Sequence, residues 1–316
     1  MQQQKNFPKI ALGTWSWGTG MYGGDQVFGN QLDEEQLKSV FDTAMNLGLN
    51  LWDTAYAYAL GGSETILGQL AKNYKREDIL LSTKFSPGLH TESENPVEEM
   101  LNGSLERLGT DYIDVYWIHN RNDIERWTPT MIPLLKSGKI KSVGVSNHTL
   151  DEIKRANEIL SEAGYRISAV QNHFSLLHRA SEEAGILDYC KENDITFYAY
   201  MVLEQGALSG RYSVENPLPE NSGRGQTYNK ILPQLEELTS EMRKIGEAKN
   251  SSEAQVAIAW AIAKHTLPII GATKPSHIED AKKATELTLT EEEVLRLETL
   301  AQKADVNTKG GWESNV

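Results

Sequence analysis

The chain is predicted to be an α/β protein whose eight parallel strands close into a barrel. Two observations carry that expectation. Short apolar runs alternate eight times with helical patterns along the 316 residues, mostly through short links. A parallel strand needs a crossover, so this alternation predicts an all-parallel sheet, and eight units in this length fit a closed barrel better than an open sheet. No linker rich in proline, glycine or charge divides the chain and no repeat is visible, so residues 1–316 are read as a single domain.

The elements follow in order. Ile10 to Thr14 reads as the first strand. Gly18-Thr19-Gly20-Met21-Tyr22-Gly23 then matches the dinucleotide pattern GxGxxG, which works where its last glycine packs into a pyrophosphate-holding helix. The residues after Gly23 read as more loop, so the match is taken as chance. Asp33 caps a helix whose Leu37, Val40, Phe41, Ala44 and Leu47 recur at helical spacing, and Gly48 ends it. Leu49-Asn50-Leu51-Trp52-Asp53 is the second strand, and Ser63 is expected to cap a helix running to about Asn73. Strands at Ile79 to Lys84 and Asp114 to His119 are followed by helices from about Pro96 to Leu108 and Thr128 to Lys136. Ile140 to Ser146 and Ala169 to Asn172 are the next strands, followed by helices from Leu150 to Ala163 and from a Ser181 cap to Glu192. After the strand Ile195 to Tyr200 comes a long polar loop, then helices Lys230 to Lys249 and Ser252 to Lys264. Leu267 to Gly271 is the last strand, with helices starting at Pro275 and Thr290.

Composition excludes several classes. A net charge of -13 argues against nucleic acid or an anionic membrane as partner, since both need a positive face. The single cysteine, Cys190, forbids an internal disulfide, fits a reducing cytoplasm and reads as a small core residue. The opening Met1-Gln2-Gln3-Gln4-Lys5-Asn6 has no apolar segment of the signal-peptide kind, and no apolar run approaches a membrane span. A cytoplasmic location is therefore expected.

In such a barrel the chemistry collects at the C-terminal ends of the strands. Those ends carry Asp53 and Tyr58, then Lys84, then His119, with Ser146-Asn147, Gln171, Tyr200 and Gly271 on later strands. Alone, each would pass as a cap, a rim contact or a solvated side chain; four titratable groups on three successive strands would not. The residue types suit proton donation to a carbonyl oxygen as hydride reaches its carbon. A tyrosine titrating near 10 is a weak acid at neutral pH. A lysine cation beside it lowers that value, and Asp53 would hold the lysine charged. His119 would orient the substrate oxygen, and a nicotinamide ring would have to lie against the substrate.

These residues give the sequence its resemblance to the aldo-keto reductase superfamily, over nearly the whole chain. Asp53 and Tyr58 in "DTAYAY", Lys84 in "STKF" and His119 in "YWIHN" stand where that family has its catalytic tetrad. The resemblance implies a (β/α)8 TIM barrel that reduces aldehydes or ketones, or oxidises the matching alcohols, with Tyr58 as general acid. It further implies cofactor contacts at Gly13, Thr14, Trp15 and Asp53, and a carboxamide contact from Ser146 and Asn147 joined by Gln171. Tyr200 is implied to stack on the nicotinamide ring. The long loop after it resembles the branch of bacterial reductases and potassium-channel beta subunits, with Met201, Leu203, Gly206, Leu208 and Arg211 covering pyrophosphate. Met201-Val202 stands where that branch has Ser-Pro, which removes a hydroxyl contact. Gly271, Thr273, Lys274 and His277 align with the family's 2′-phosphate segment; His277 replaces a common Arg and Ala281 a usual Asn. NADPH is therefore expected over NADH, by a narrower margin than is usual in that family, with NADH as a possible cofactor. The partner is expected to be a small carbonyl or sugar substrate. Two alternatives remain at this stage: a cofactor-sensing interaction subunit, and a sugar epimerase or isomerase that keeps its cofactor. Trp15, Trp17, Tyr22, Phe85, Trp127 and Trp312 are candidates for a pocket wall, with packing favoured for Trp127. The segment after Lys303 is expected to form no more than a modest substrate loop.

Overall fold

A computed structural model describes residues 7–121 and 123–313. Eight parallel strands close in chain order: β1 (Ala11–Gly13), β2 (Leu51–Asp53), β3 (Leu80–Phe85), β4 (Val115–Ile118), β5 (Val143–Ser146), β6 (Ile167–His173), β7 (Thr196–Tyr200) and β8 (Leu267–Gly271). β8 pairs back onto β1, with Gly271 beside Gly13, so the sheet has no open edge. This is the (β/α)8 TIM barrel that the alternation predicts.

Most helices stand where their spacing places them, among them Glu34–Asn46, Pro96–Leu108, Leu150–Ser161, Glu253–Ala263, Pro275–Ala284 and Glu291–Ala304. Four of these begin with reciprocal capping boxes at Asp33, Thr149, Ser252 and Thr290. Several local expectations are corrected. Ser63 lies inside the helix Gly62–Ala71, and its hydroxyl donates to the Thr14 carbonyl at 2.8 Å instead of capping. Ser181 is likewise inside a helix, Ala180–Glu183, and accepts from Asn172 at 3.2 Å; a left-handed Gly185 separates that turn from Ile186–Glu192. The helix expected from Thr128 to Lys136 begins later, as Met131–Ser137, and a separate four-residue helix, Ile124–Trp127, precedes it. The residues after Gly23, expected as loop, form a five-residue helix, Gly24–Phe28.

The barrel interior explains the site. Side chains alternate in and out along each strand. The inner cluster contains Ala11, Leu51, Leu80, Val115, Trp117, Ala169, Tyr198 and Leu267. Trp117 and Tyr198 meet edge to face at 5.0 Å and fill the middle of the barrel. Gly144 makes this layer fit: a Cβ there would overlap the Trp117 ring. From these anchors parity alone turns Asp53, Ser82, Lys84, His119, Ser146, Gln171, His173 and Tyr200 inward, nearer the C-terminal mouth. Trp52, Tyr116 and Val170 point outward into the packing between sheet and helices. Among the described residues no helix is long and apolar enough to cross a membrane.

Candidate active site

The inward layer closes around a buried ion pair. Lys84 is fully buried, and its Nζ donates to Asp53 Oδ2 at 2.6 Å, to the Thr54 carbonyl at 2.7 Å and to Tyr58 OH at 3.3 Å. Asp53 Oδ1 accepts from Ser82 Oγ at 2.6 Å and from Gln171 Nε2 at 3.1 Å. Each oxygen of the buried carboxylate thus has a donor, the condition under which such a charge is tolerable. Burial pulls the lysine down, but Asp53 and Tyr58 outweigh it and leave Lys84 above its usual value. Tyr58 shifts the other way from expectation. Burial pushes its phenol up, Lys84 pulls it down, Asp53 adds a further upward push, and the net in the free site is upward. Tyr58 is only partly buried, so its hydroxyl stays within reach of a bound molecule.

His119 ends β4 with Nδ1 3.1 Å from Ser86 Oγ, and its ring meets the Tyr58 ring edge to face at 5.9 Å. Burial, helped by the Lys84 cation, holds its pKa well below 6.5, so the ring is neutral at neutral pH. Trp15 lies along the Tyr58 ring at 6.0 Å and 24°, and carries Phe28 and Trp312 edge-on at 5.3 and 5.5 Å. Trp15 and Trp312 thus sit at the mouth. Trp17 and Phe85, expected as wall residues, are instead core: Trp17 packs on Trp52 and Phe85 on Trp127, all buried. Trp127 packs as expected, and Tyr22 is exposed with a left-handed backbone.

The remaining predicted residues fall in two groups. Gly13 and Thr14 border β2, the Thr14 hydroxyl reaching the Asp53 carbonyl at 3.3 Å. Ser146 and Asn147 end β5. Asn147 adopts φ 61°, a strained value for a side-chain-bearing residue, and its Nδ2 donates to the His119 carbonyl at 3.1 Å and to Asn120 Oδ1 at 3.0 Å. Tyr200 donates to Asn147 Oδ1 at 2.5 Å. Gln171 stands beside Ser146 in the strand register as expected, and its carbonyl accepts from the Asn147 amide at 3.0 Å, while its side-chain amide donates to Asp53. Met201, at φ 62°, is half-buried, as are Leu203 and Gly206, whereas Leu208 is wholly in the core and has no free side-chain surface. Around β8, Thr273 Oγ1 lies 3.0 Å from His277 Nδ1, and Lys274 leads into the helix Pro275–Ala284. Burial lowers the His277 pKa, and the cations of Lys274 and Arg211 lower it further.

Several participants escaped sequence reasoning. Ser82 shares parity with Lys84, and His173 with Gln171, a signal that would have found both. The segment after Lys303 does more than expected. It returns across the mouth, where Trp312 Nε1 donates to Tyr200 OH at 3.3 Å and Glu313 reaches His173. Cys190 is a buried core residue whose thiol burial pushes up to about 12.

A parallel barrel with a buried carboxylate and ammonium chained to a partly buried phenol at its C-terminal mouth has the architecture of the barrel enzymes, whose active sites lie at that face. Comparison with known proteins narrows the class. A model of the Aldo/keto reductase family matches residues 9–302, and the chain belongs to that family. Pyridoxal reductase, chloroplastic, of Arabidopsis thaliana is 30% identical over 311 residues, covering 93% of this chain and 83% of the relative. The aldo-keto reductase yakc [NADP(+)] of Schizosaccharomyces pombe is 30% identical over 309 residues, covering 92% and 89%. Among solved structures, the glycerol dehydrogenase AKR11B4 from Gluconobacter oxydans superposes with a TM-score of 0.82 at 25% identity, covering 96% of this chain and 94% of that one. The protein is accordingly an oxidoreductase of the aldo/keto reductase family.

Proposed function

We propose that the protein reduces small aldehydes or ketones, and oxidises the matching alcohols, with Tyr58 as the proton donor and NADPH as the hydride source. The observation that carries this reading is the buried Asp53–Lys84 pair chained to Tyr58, with Lys84 Nζ 3.3 Å from the phenol oxygen. Lys84 stabilises the phenolate that remains after the proton leaves, and Asp53 keeps the ammonium charged and fixed. His119 is neutral with Nδ1 3.1 Å from Ser86 Oγ; in the tautomer where Ser86 donates to Nδ1, the ring proton sits on Nε2 and donates to a carbonyl oxygen. Trp15 and Trp312 offer ring faces and edges to the substrate body.

The donor set fits a nicotinamide dinucleotide. Bound NADPH supplies the hydride; this chain's residues hold and orient it. Ser146 and Asn147 present hydroxyl and amide groups for its carboxamide, and Tyr200 presents its ring. Lys274, at the start of a ten-residue helix, suits a 2′-phosphate. The NADP(+) in the name of the yeast relative agrees with this choice. The test is a panel of aldehydes, ketones and polyols assayed with NADPH and NADH. Turnover of at least one carbonyl, with NADPH bound more tightly, is expected. Failure to reduce any carbonyl or oxidise any alcohol overturns the reading.

A further inference from the structure

Behind Tyr200 lies a buried polar cluster that the proposed chemistry does not use. The His173 ring is stacked on Tyr200 at 5.6 Å and on His178 at 4.0 Å. Its Nε2 lies 2.9 Å from Glu204 Oε1 and its Nδ1 2.9 Å from Glu313 Oε1. Glu204 Oε1 also accepts from Ser175 and Thr308, and its Oε2 from Tyr228 OH at 2.6 Å. Glu313 Oε1 accepts from the Gly310 amide at 2.8 Å as well. A carboxylate oxygen only accepts. Two such carboxylates on one ring require an N–H on both nitrogens, and a neutral imidazole has only one. His173, His178 and Glu313 also bring donor atoms within 4.8 Å of one another. The two rings are only 10° from parallel, however, and in-plane lone pairs on stacked rings do not converge on one ion.

We propose that His173 is a positioning residue: as an imidazolium bridging Glu204 and Glu313, it locks the C-terminal segment across the barrel mouth and so sets Trp312 as a wall of the substrate pocket. Glu204 belongs to the segment after β7, where Met201, Glu204 and Gln205 all have left-handed backbones (φ 62°, 46° and 51°). Strain of that kind persists only where surrounding contacts hold it, and the four partners of Glu204 do so. Glu313 belongs to the C-terminal segment, one residue after Trp312. The ring therefore joins the segment expected to cover the cofactor to the one that faces the substrate.

The lock depends on pH. The groups facing His173 are Glu204, Glu313, His178 and Tyr200; Ser175, Thr308 and Tyr228 hold Glu204 on its far side, and the Lys309 cation acts on His178. Burial opposes the charge on His173, but Glu204 and Glu313 outweigh it and hold the group up at about 9, from an ordinary 6.5. His178, which burial and the His173 cation push down to about 4, stays neutral beside it. Since the folded value is raised, the lock is complete below about 6.5 and is lost as pH rises through about 9.

This inference rests on the reading of the mouth as a carbonyl site, and its test separates the two. Glu313→Gln and Trp312→Ala are made singly and together. Each single variant is expected to raise KM for an aldehyde about tenfold, with kcat and the NADPH dissociation constant within about threefold of wild type. The double variant should be no worse than the weaker single one, and Trp312→Phe should recover part of the loss. Additive KM effects, or a fall in kcat with KM unchanged, overturn the proposal. Amide exchange of residues 308–313, corrected for intrinsic pH dependence, needs no turnover. It is expected to quicken in the wild type as pH passes 9, and in Glu313→Gln already at neutral pH. Exchange indifferent to both overturns the lock even if the enzyme is active. Exchange that responds in a protein reducing no carbonyl supports the lock and overturns the functional reading.

Discussion

Replacing Lys84 with Met separates what the buried ion pair does for stability from what it does for chemistry. The side chain is fully buried, and methionine matches its length while removing all three polar contacts of Nζ. Asp53 then keeps only Ser82 and Gln171 as partners, a buried charge without its cation. Breaking such a pair costs roughly 3–5 kcal/mol, against a total of about 5–15 kcal/mol for a folded domain. The single variant should therefore fold at room temperature, with a clearly lower urea midpoint. Its hydride-transfer rate should fall by roughly 10²–10⁴, the usual contribution of a positioned acid, because Tyr58 loses the cation that stabilises its conjugate base. The companion Asp53→Asn/Lys84→Met leaves no buried charge and should recover most of the stability. It should not recover the rate. The assay pairs urea unfolding with single-turnover loss of reduced-nicotinamide absorbance. A single variant within about tenfold of the wild-type rate, or a double variant that regains it, would refute the assignment.

Three further outcomes follow from named groups. Lys274→Ala should cut the preference for NADPH over NADH about tenfold, the worth of one charge-assisted hydrogen bond, with dissociation constants of both cofactors as the readout. His148 is buried; its Nδ1 sits 2.7 Å from the Ser146 carbonyl, its Nε2 has no hydrogen-bond partner among the described residues, and burial lowers its pKa from 6.5 to about 4. Because the folded value is depressed, stability is present above about 6.5 and lost as pH falls toward 4, by about 3 kcal/mol; His148→Gln should flatten the urea midpoint over that window. Gly144→Ala would drive a methyl group into the Trp117 ring and should cost about 1–3 kcal/mol, seen as a lower melting temperature.

The barrel was legible because eight apolar strands and capped helices repeat in register with local rules, and each rule acts over a few residues. The tetrad was legible for a second reason: strand parity turns Asp53 and Lys84 to one interior, and the mouth gathers whatever ends the strands. Ser63 and Ser181 misled because a serine before a helical run is equally suited to a contact across the barrel, and only packing decides between them. Trp17 and Phe85 read as wall residues because their types do not say on which side of a strand's end they turn. The net pKa of Tyr58 depends on burial, which the sequence does not display, and so its direction was misjudged. Glu313 reaches His173 across 140 residues, and no periodicity encodes that return.

The most direct test is single-turnover reduction of a reactive aldehyde by Tyr58→Phe loaded with NADPH. The substitution deletes one oxygen, which accepts from Lys84 at 3.3 Å, and leaves the Asp53–Lys84 pair at 2.6 Å intact. With Tyr58 as the proton donor, NADPH affinity should stay within about twofold while the rate falls by roughly 10²–10⁴. A folded variant that reduces the aldehyde at close to the wild-type rate would contradict the account.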